Sequence, residues 1–512
     1  MAVRRRPIKR LSSIFIAVLC YLIAPFPHAL GDLVEQGPKD SRPSGLLAGV
    51  ARADITPPVG IAHLNWGSQT HVEATGLDPV GMFATALVLS DGKQKFAMVD
   101  IDALSVSGME AVINRASALT GIPALHIRLA STHTHSGASF SSAKGPVGTD
   151  ASEHDRILRS YRSLLADKVV GAIVEAHSKL RPAHAYGARG TGTININRRV
   201  RAKGDMPAAV GRNPEGFVDR ELVVIRIDDA QGNPYAVLAN FQCHGTVLAY
   251  ENKQLSPDWV GMTRKSVEQA LPGATCLFFQ GAAGNQGPIE GFTGDLAVPH
   301  RLGAILGHQA AALALEIETV RREPTFEGFV ESTAYQAKQH WRVQGPRDAT
   351  LKFTSKLLDL PRRRYTPTEI DTMAQRVAGA QKAVDLAEKS GDLWKQYQAK
   401  ARLRRFADLL AQWKRPYEAT PVQVQVQILR IGDMAIVAMP GEPFAEIGAA
   451  VKKASPFALT MFCGYSTGAG GDYMPIESEY PFGGYEVERT PYGIGAAEKL
   501  VKETIALFKE VQ

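Results

Sequence analysis

Two histidines two residues apart, His133 and His135 in Ser131-Thr132-His133-Thr134-His135-Ser136-Gly137, follow an apolar stretch that ends at Ala130. In extended backbone, residues i and i+2 face the same side, so both imidazoles reach toward one ion or one substrate. A neutral imidazole is a good zinc ligand and, when not ligating, carries protons near neutral pH. Such a pair serves equally well as two hydrogen-bonded structural histidines, so the motif gains weight only from further ligands. His244 is one candidate: it follows the apolar run 236–241 and precedes Gly245. Cys243 would point to the other face of a continuing strand, which leaves His244 as the ligand and a core position as its alternative. Glu442, in Met439-Pro440-Gly441-Glu442-Pro443, is a carboxylate at the end of another apolar run, or else an acid in the first turn of a helix.

Residues so far apart in the chain meet only if secondary-structure elements bring them together. Short apolar runs flanked by turn residues predict strands at 83–89, 96–101, 126–130, 222–227, 236–243 and 275–280. Apolar positions at helical spacing predict helices at 108–120, 155–180 and 300–319. This alternation implies an α/β fold of mixed β-sheets layered with helices, in one large domain over 47–512. Residues 423–428 alternate polar and apolar, and Asp433 sits in a turn before 435–439, so a hairpin delivers Pro440-Gly441-Glu442 to a strand end. The segment 338–415 is rich in Lys, Arg, Ala, Gln and Leu and is punctuated by Pro361 and Pro367. It reads as a solvated helical insertion whose residues 368–413 form a helical hairpin turning at Gly391, with a lid over the site and a membrane-binding surface as alternatives.

The 512 residues are 45% hydrophobic and 21% charged, which excludes disorder and fibrous structure. Arg4, Arg5, Arg6, Lys9 and Arg10 precede an apolar run from Ile14 to Phe26, and Ala29-Leu30-Gly31 offers small residues for cleavage. A signal peptide over 1–31 and a secreted or periplasmic location are expected. The run is short for a bilayer span, which makes an uncleaved anchor the weaker reading. Removing the leader's five basic residues takes the formal charge from +7 to +2. A charge this small gives no basic footprint for nucleic acid. Cys243, Cys276 and Cys463 then remain, an odd number that excludes a disulfide framework and allows one bridge at most.

Taken together, these segments resemble the N-terminal catalytic domain of the neutral ceramidase family. Asp54-Ile55-Thr56-Pro57-Pro58, Gly76-Leu77-Asp78-Pro79, the His133-Thr134-His135 segment, Asn195-Ile196-Asn197-Arg198, His244-Gly245-Thr246, Pro440-Gly441-Glu442 and Tyr473 with Tyr485-Glu486 carry the resemblance in the family's order. It implies one zinc per chain held by His133, His244, Glu442 and the phenolic oxygen of Tyr473. In that reading His135 handles protons, while Arg198 and Tyr485 stabilise the oxyanion, with Arg199 competing for the place of Arg198. Simple packing is the alternative for the two tyrosines. The implied activity is hydrolysis of an amide bond in an N-acyl, ceramide-like small molecule by a zinc-activated water, with membrane contact at most peripheral. A zinc esterase or lactonase, or a catalytically silent zinc- or ligand-binding relative, would share the scaffold. Two departures stand out. Where the family carries a serine, this chain reads Gly284-Asn285-Gln286-Gly287-Pro288, without a hydroxyl, and the family's C-terminal β-sandwich is expected to be absent.

Overall fold

The computed structural model describes residues 45–139, 150–201 and 207–512. All of these lie in one compact unit, 41–512. The expected leader, 1–31, lies outside the described residues. Eight strands form a mixed sheet in the order Thr275–Gln280, Pro234–Phe241, Glu221–Asp229, Arg181–Thr191, Leu47–Asp54, Phe83–Ser90, Lys95–Ile101 and Ile127–Ser131. Its inner pairs are antiparallel, and its two outermost pairs are parallel. A second sheet orders Leu351–Leu360, Val422–Ile431, Met434–Ala438 and Leu459–Cys463, again with its last pair parallel.

The sheets pack face to face, so Leu87, Phe96, Ile225, Leu238 and Phe279 of the first share one core with Leu429, Ile436, Met461 and Cys463 of the second. The other face of the large sheet is covered by Glu110–Thr120 and Ala151–Ser178 at one end and by Trp259–Ala270 and Ala297–Glu316 at the other. Ala445–Ala454 and Ala496–Val511 cover the outer face of the smaller sheet. Four layers result, helices, sheet, sheet, helices. Strands such as Phe83–Ser90, buried on both faces, are therefore written as continuous apolar runs rather than as an alternation.

The helical hairpin is built as its sequence predicts. Thr366 and Glu369 form a capping box, Pro367 opens Pro367–Ser390, and Gly391 closes it in the left-handed region at φ 71°. Asp392 then caps Leu393–Trp413. The expectation that 338–415 is helical throughout needs correction over its first third. Gln336–Pro346 pairs with Val320–Val330 in a two-stranded ribbon, and Leu351–Leu360 joins the second sheet against Val422–Ile431. Helix-favouring composition loses there to backbone pairing with a partner distant in sequence, as propensity commonly does. Cys243, Cys276 and Cys463 are buried free thiols, so none of the three forms the permitted bridge.

Three parallel pairs fix where chemistry takes place. The carboxyl ends of Lys95–Ile101 and Ile127–Ser131, of Pro234–Phe241 and Thr275–Gln280, and of Met434–Ala438 and Leu459–Cys463 meet at one edge. There Thr132 N–H donates to Ile101 O, Gly281 N–H to Phe241 O, Gly464 N–H to Gln280 O, and Ser131 N–H to Tyr465 O. Loops leaving such ends are the usual binding place in α/β proteins. A buried ion cluster backs this edge: Arg264 donates to Asp100 at 2.8 Å and to Asp102, with all three side chains at 2% exposure or less. Breaking a buried pair strands its partner's charge. Arg264→Leu is therefore expected to cost about 3–5 kcal/mol, read as a lower urea midpoint with an unchanged slope.

Candidate metal centre

His133 follows Ile127–Ser131, and its backbone is not extended. At φ 61° it occupies the left-handed region, so it and His135 do not converge by strand alternation as the sequence suggests. The turn is held from both sides: His133 N–H donates to Ala103 O at 3.0 Å, and His135 N–H to Gly245 O at 3.1 Å. Gly245 permits the approach, because a Cβ there would meet His133 O at 2.7 Å. The two rings still meet, edge to face, with centroids 4.9 Å apart. Strain of this kind persists where the surroundings over-determine it, and it clusters at functional sites.

Each candidate ligand is aimed by a second contact. His133 Nδ1 lies 2.7 Å from Leu104 O, and His244 Nδ1 lies 2.7 Å from Ala283 O. A carbonyl only accepts, so each Nδ1 carries the hydrogen and each Nε2 turns a lone pair into the site. Glu442 Oε2 lies 3.5 Å from His133 Nε2 and 3.1 Å from His244 Nε2. The short parallel pairing of Glu442–Pro443 with Tyr473–Met474 sets Glu442 beside Tyr473. The Tyr473 ring lies nearly parallel to His244, at 11° and 6.4 Å.

The protonation preferences sharpen this picture. Burial first, and then neighbouring charge, keeps His244 neutral with its pKa lowered to about 4. Burial also lowers His133, and burial with His133 and His244 holds His135 well below its ordinary value. Burial alone would raise Glu442, but His133, His244 and Arg198 outweigh it and keep the carboxyl ionised. His133 Nε2, His244 Nε2, both ring nitrogens of His135 and Glu442 Oε2 are thus buried acceptors or uncommitted atoms, without a hydrogen-bond partner among the described residues. Donor atoms of His133, His135 and His244 all lie within 4.8 Å of one another. Lone pairs crowded around one point out of water are compatible with a cation between them, and imidazole with carboxylate is a donor set suited to a divalent transition metal.

The remaining candidates form the wall and backing of a cavity of about 410 Å³, whose lining includes His133, His135, Glu442, Tyr465, Tyr473 and Tyr485. Arg198 lies behind Tyr473: its Nη2 donates to Tyr473 Oη at 3.1 Å and its Nε to Glu486 at 2.9 Å. Arg199 is committed to Glu479, Glu486 and Gly483 O. Of the two arginines, Arg198 is thus the one bonded to the Tyr473 phenol. Tyr485 opens the short helix Tyr485–Arg489, 5.7 Å from the Tyr473 ring. Arg405 of the helical hairpin lies 4.6 Å above the Tyr485 ring, and Arg376 and Arg405 both donate to the buried Glu488 one turn on.

Three contributors were not singled out from sequence. Tyr465, at φ 53°, sets its ring 4.6 Å from His133 and its buried hydroxyl toward Glu442. Trp66 packs 4.9 Å from His135, and Asn65 donates to Gly137 O at 2.8 Å. For Tyr465 the signal was present, an aromatic in Gly464-Tyr465-Ser466 directly after an apolar strand. Nothing local marks Asn65 or Trp66.

The loop that lacks the family's serine braces the site. Gln286 O accepts from His244 N–H, and Asn285 O from Arg198 N–H. The Asn285 side chain accepts from Ala445 N–H and donates to Glu446. Gly284 touches the ligand strand so closely that a Cβ would meet Glu442 O at 2.4 Å.

A four-layer α/β scaffold with a buried histidine and carboxylate donor set at its strand ends defines a candidate metal centre. A family model, neutral/alkaline non-lysosomal ceramidase, N-terminal, matches residues 46–293. Neutral ceramidase A of Dictyostelium discoideum is 29% identical over 175 residues, covering 32% of this chain and 24% of that protein. Neutral ceramidase of Pseudomonas aeruginosa is 24% identical over 407 residues, 72% of this chain and 57% of that one. The chain thus spans about a quarter to somewhat over half of the length of these relatives. The crystal structure of neutral ceramidase from Pseudomonas aeruginosa superposes with a TM-score of 0.59 at 19% identity, covering 91% of this chain and 74% of that one. Over residues 46–293 the chain is thus similar to the N-terminal part of the neutral/alkaline ceramidase family, and it shares the fold of the solved Pseudomonas aeruginosa structure.

Two tests follow from this geometry. Gly284→Ala should displace Glu442, cost roughly 1–3 kcal/mol as an overpacked contact and lower the metal bound per chain, measured by thermal unfolding and elemental analysis. His63 and His71, joined at 3.1 Å beneath Asn65 and Trp66, have their pKa values lowered to about 4, chiefly by burial. The unfolded chain takes up these protons near pH 6.5, the folded chain only near 4, so stability is full above 6.5 and falls as pH drops toward 4. Urea midpoints between pH 8 and 4.5 should trace that fall, and His71→Asn should flatten it.

Proposed function

We propose that the chain is a zinc-dependent amidohydrolase acting on an N-acyl, ceramide-like lipid, with one zinc held by His133, His244, Glu442 and Tyr473. The observation that carries this reading is the set of partnerless lone pairs on His133 Nε2, His244 Nε2 and Glu442 Oε2, facing one another beside a cavity with a hydroxyl wall. When bound, zinc polarises a carbonyl and lowers the pKa of water to about 7.

Around it the chain's own residues divide the work. Arg198 holds the Tyr473 oxygen as an acceptor turned toward the other ligands. His135, with neither ring nitrogen committed, takes a proton on one of them and returns it to the leaving amine. The Tyr485 hydroxyl, on the cavity wall, donates to the negative charge that develops on the carbonyl oxygen. Trp66 closes the His135 side against water. Asn285 is wholly used as a brace, so the substrate contact made by the family's serine has no counterpart, and the substrate class extends to N-acyl amides other than ceramide. The arginine-rich, apolar leader supports an exported location.

The test pairs metal analysis with fatty-acid release from ceramide and from a panel of N-acyl amines. About one zinc per chain is expected, with activity lost on chelation and restored by zinc. His135→Ala should keep the zinc and lose roughly 10²–10⁴ in rate. Loss of zinc together with rate in that variant would instead make His135 a ligand, and absence of zinc after reconstitution would sink the reading.

A further inference from the structure

The ribbon formed by Val320–Val330 and Gln336–Pro346 contributes no residue to the site. At its base Arg347 donates to Glu318 O at 2.7 Å and Thr319 to Asp228 at 2.7 Å. Beyond that point nearly every residue of both strands is exposed. Residues directly opposite in an antiparallel pair share a face, and alternate residues share it along each strand. The register Pro324↔Trp341, Phe326↔Gln339 and Phe329↔Ala337, with an irregularity between Phe326 and Gly328, puts Phe326, Phe329, Trp341 and Val343 on one side. Tyr335, in the turn, stacks on Phe329 at 5.1 Å, and Phe329 meets Phe326 at 5.2 Å. The opposite side carries Lys338 and His340, both paired with Glu327, and Arg342 opposite Glu323. The ribbon is therefore amphipathic, and its aromatic face lies open: Phe329 is 63% exposed, Tyr335 69% and Trp341 58%.

We propose that this aromatic face docks the protein on a lipid bilayer, lying in the interfacial zone without spanning it. A second copy of the chain is the competing occupant, and the available area argues against it. Two strands of about eleven residues offer roughly 350 Å², against the roughly 800 Å² per partner of a stable dimer. The residue types also fit. Phe, Tyr and Trp favour the boundary between headgroups and acyl chains, and Arg322, opposite Val343, stands on the same side to meet headgroup phosphates. No described helix is long and apolar enough to cross a membrane, so a surface device of this kind is the contact the described residues can make. The proposal does not rest on the identity of the substrate.

The experiment compares the full chain with its Phe329→Glu/Tyr335→Glu variant on vesicles of phosphatidylcholine alone and with 20% phosphatidylserine, a composition chosen to separate aromatic from ionic attraction. Partition of the variant should fall roughly tenfold or more on both vesicle types, as expected when charged groups replace buried aromatics. Brominated lipid should quench the wild-type tryptophan emission, and Trp341→Phe should remove that quenching, which separates the ribbon from any contribution of the apolar leader. Hydrolysis of a soluble short-chain N-acyl substrate should be unchanged in the variant, so failure of the catalytic reading would show separately. Equal partition of wild type and variant, quenching that survives Trp341→Phe, or a wild-type dimer that the variant converts to monomer would each overturn the proposal.

Discussion

Lone pairs that the fold forces to face one another are the constraint on which this structure turns. His133 Nε2 and His244 Nε2 lie 3.5 and 3.1 Å from Glu442 Oε2, and the other ring nitrogen of each histidine is committed to a backbone carbonyl. In water such a cluster would scatter, since each acceptor is better solvated alone. Here it is held in place because every member is fixed by backbone geometry set elsewhere. A cation would remove the repulsion, and that arrangement, more than any single contact, gives the site its character.

The holding is done by the edge where three parallel strand pairs end. His133, His244, Glu442 and Tyr465 each stand two to four residues beyond a strand that terminates there, and the backbone N–H of each is tied to the loop that follows the other strand of its parallel pair. Parallel pairing makes this possible, because it brings consecutive carboxyl ends to one side. The face-to-face packing of the two sheets then joins the loops of one to those of the other, as in the bond from Ser131 N–H to Tyr465 O. Rigid strands supply placement, and irregular loops supply direction.

The loop 284–288 braces the site without a hydroxyl side chain. Its glycine, asparagine and glutamine positions hold His244, Arg198 and the Glu442 strand through backbone and amide hydrogen bonds, and none of these contacts calls for a hydroxyl. Arg405 of the helical hairpin lies over Tyr485, a cavity-lining residue, and donates to Glu488, so an apparently solvated insertion has a polar foothold beside the cavity.

Residue chemistry and local pattern made much of this legible in advance. Apolar runs gave the strands of the large sheet, because strands covered on both faces exclude polar residues along their whole length. Capping signals marked the hairpin at Thr366, Gly391 and Asp392, because a helix end has unsatisfied groups that only certain side chains meet. The histidines and Glu442 were visible as ligating residue types at strand ends. The rest depended on contacts between distant segments. Pairing overrode composition at 336–360, a positive φ rather than strand alternation joined His133 to His135, and only the contact with the Tyr473 hydroxyl distinguishes Arg198 from Arg199. Tyr465, Asn65 and Trp66 are ordinary residues in sequence and become part of the site only by position. Sequence by itself determined which groups were available and which elements they would follow; tertiary structure alone decided which way they point, because direction is set by hydrogen bonds and close contacts between segments that the linear pattern does not place side by side.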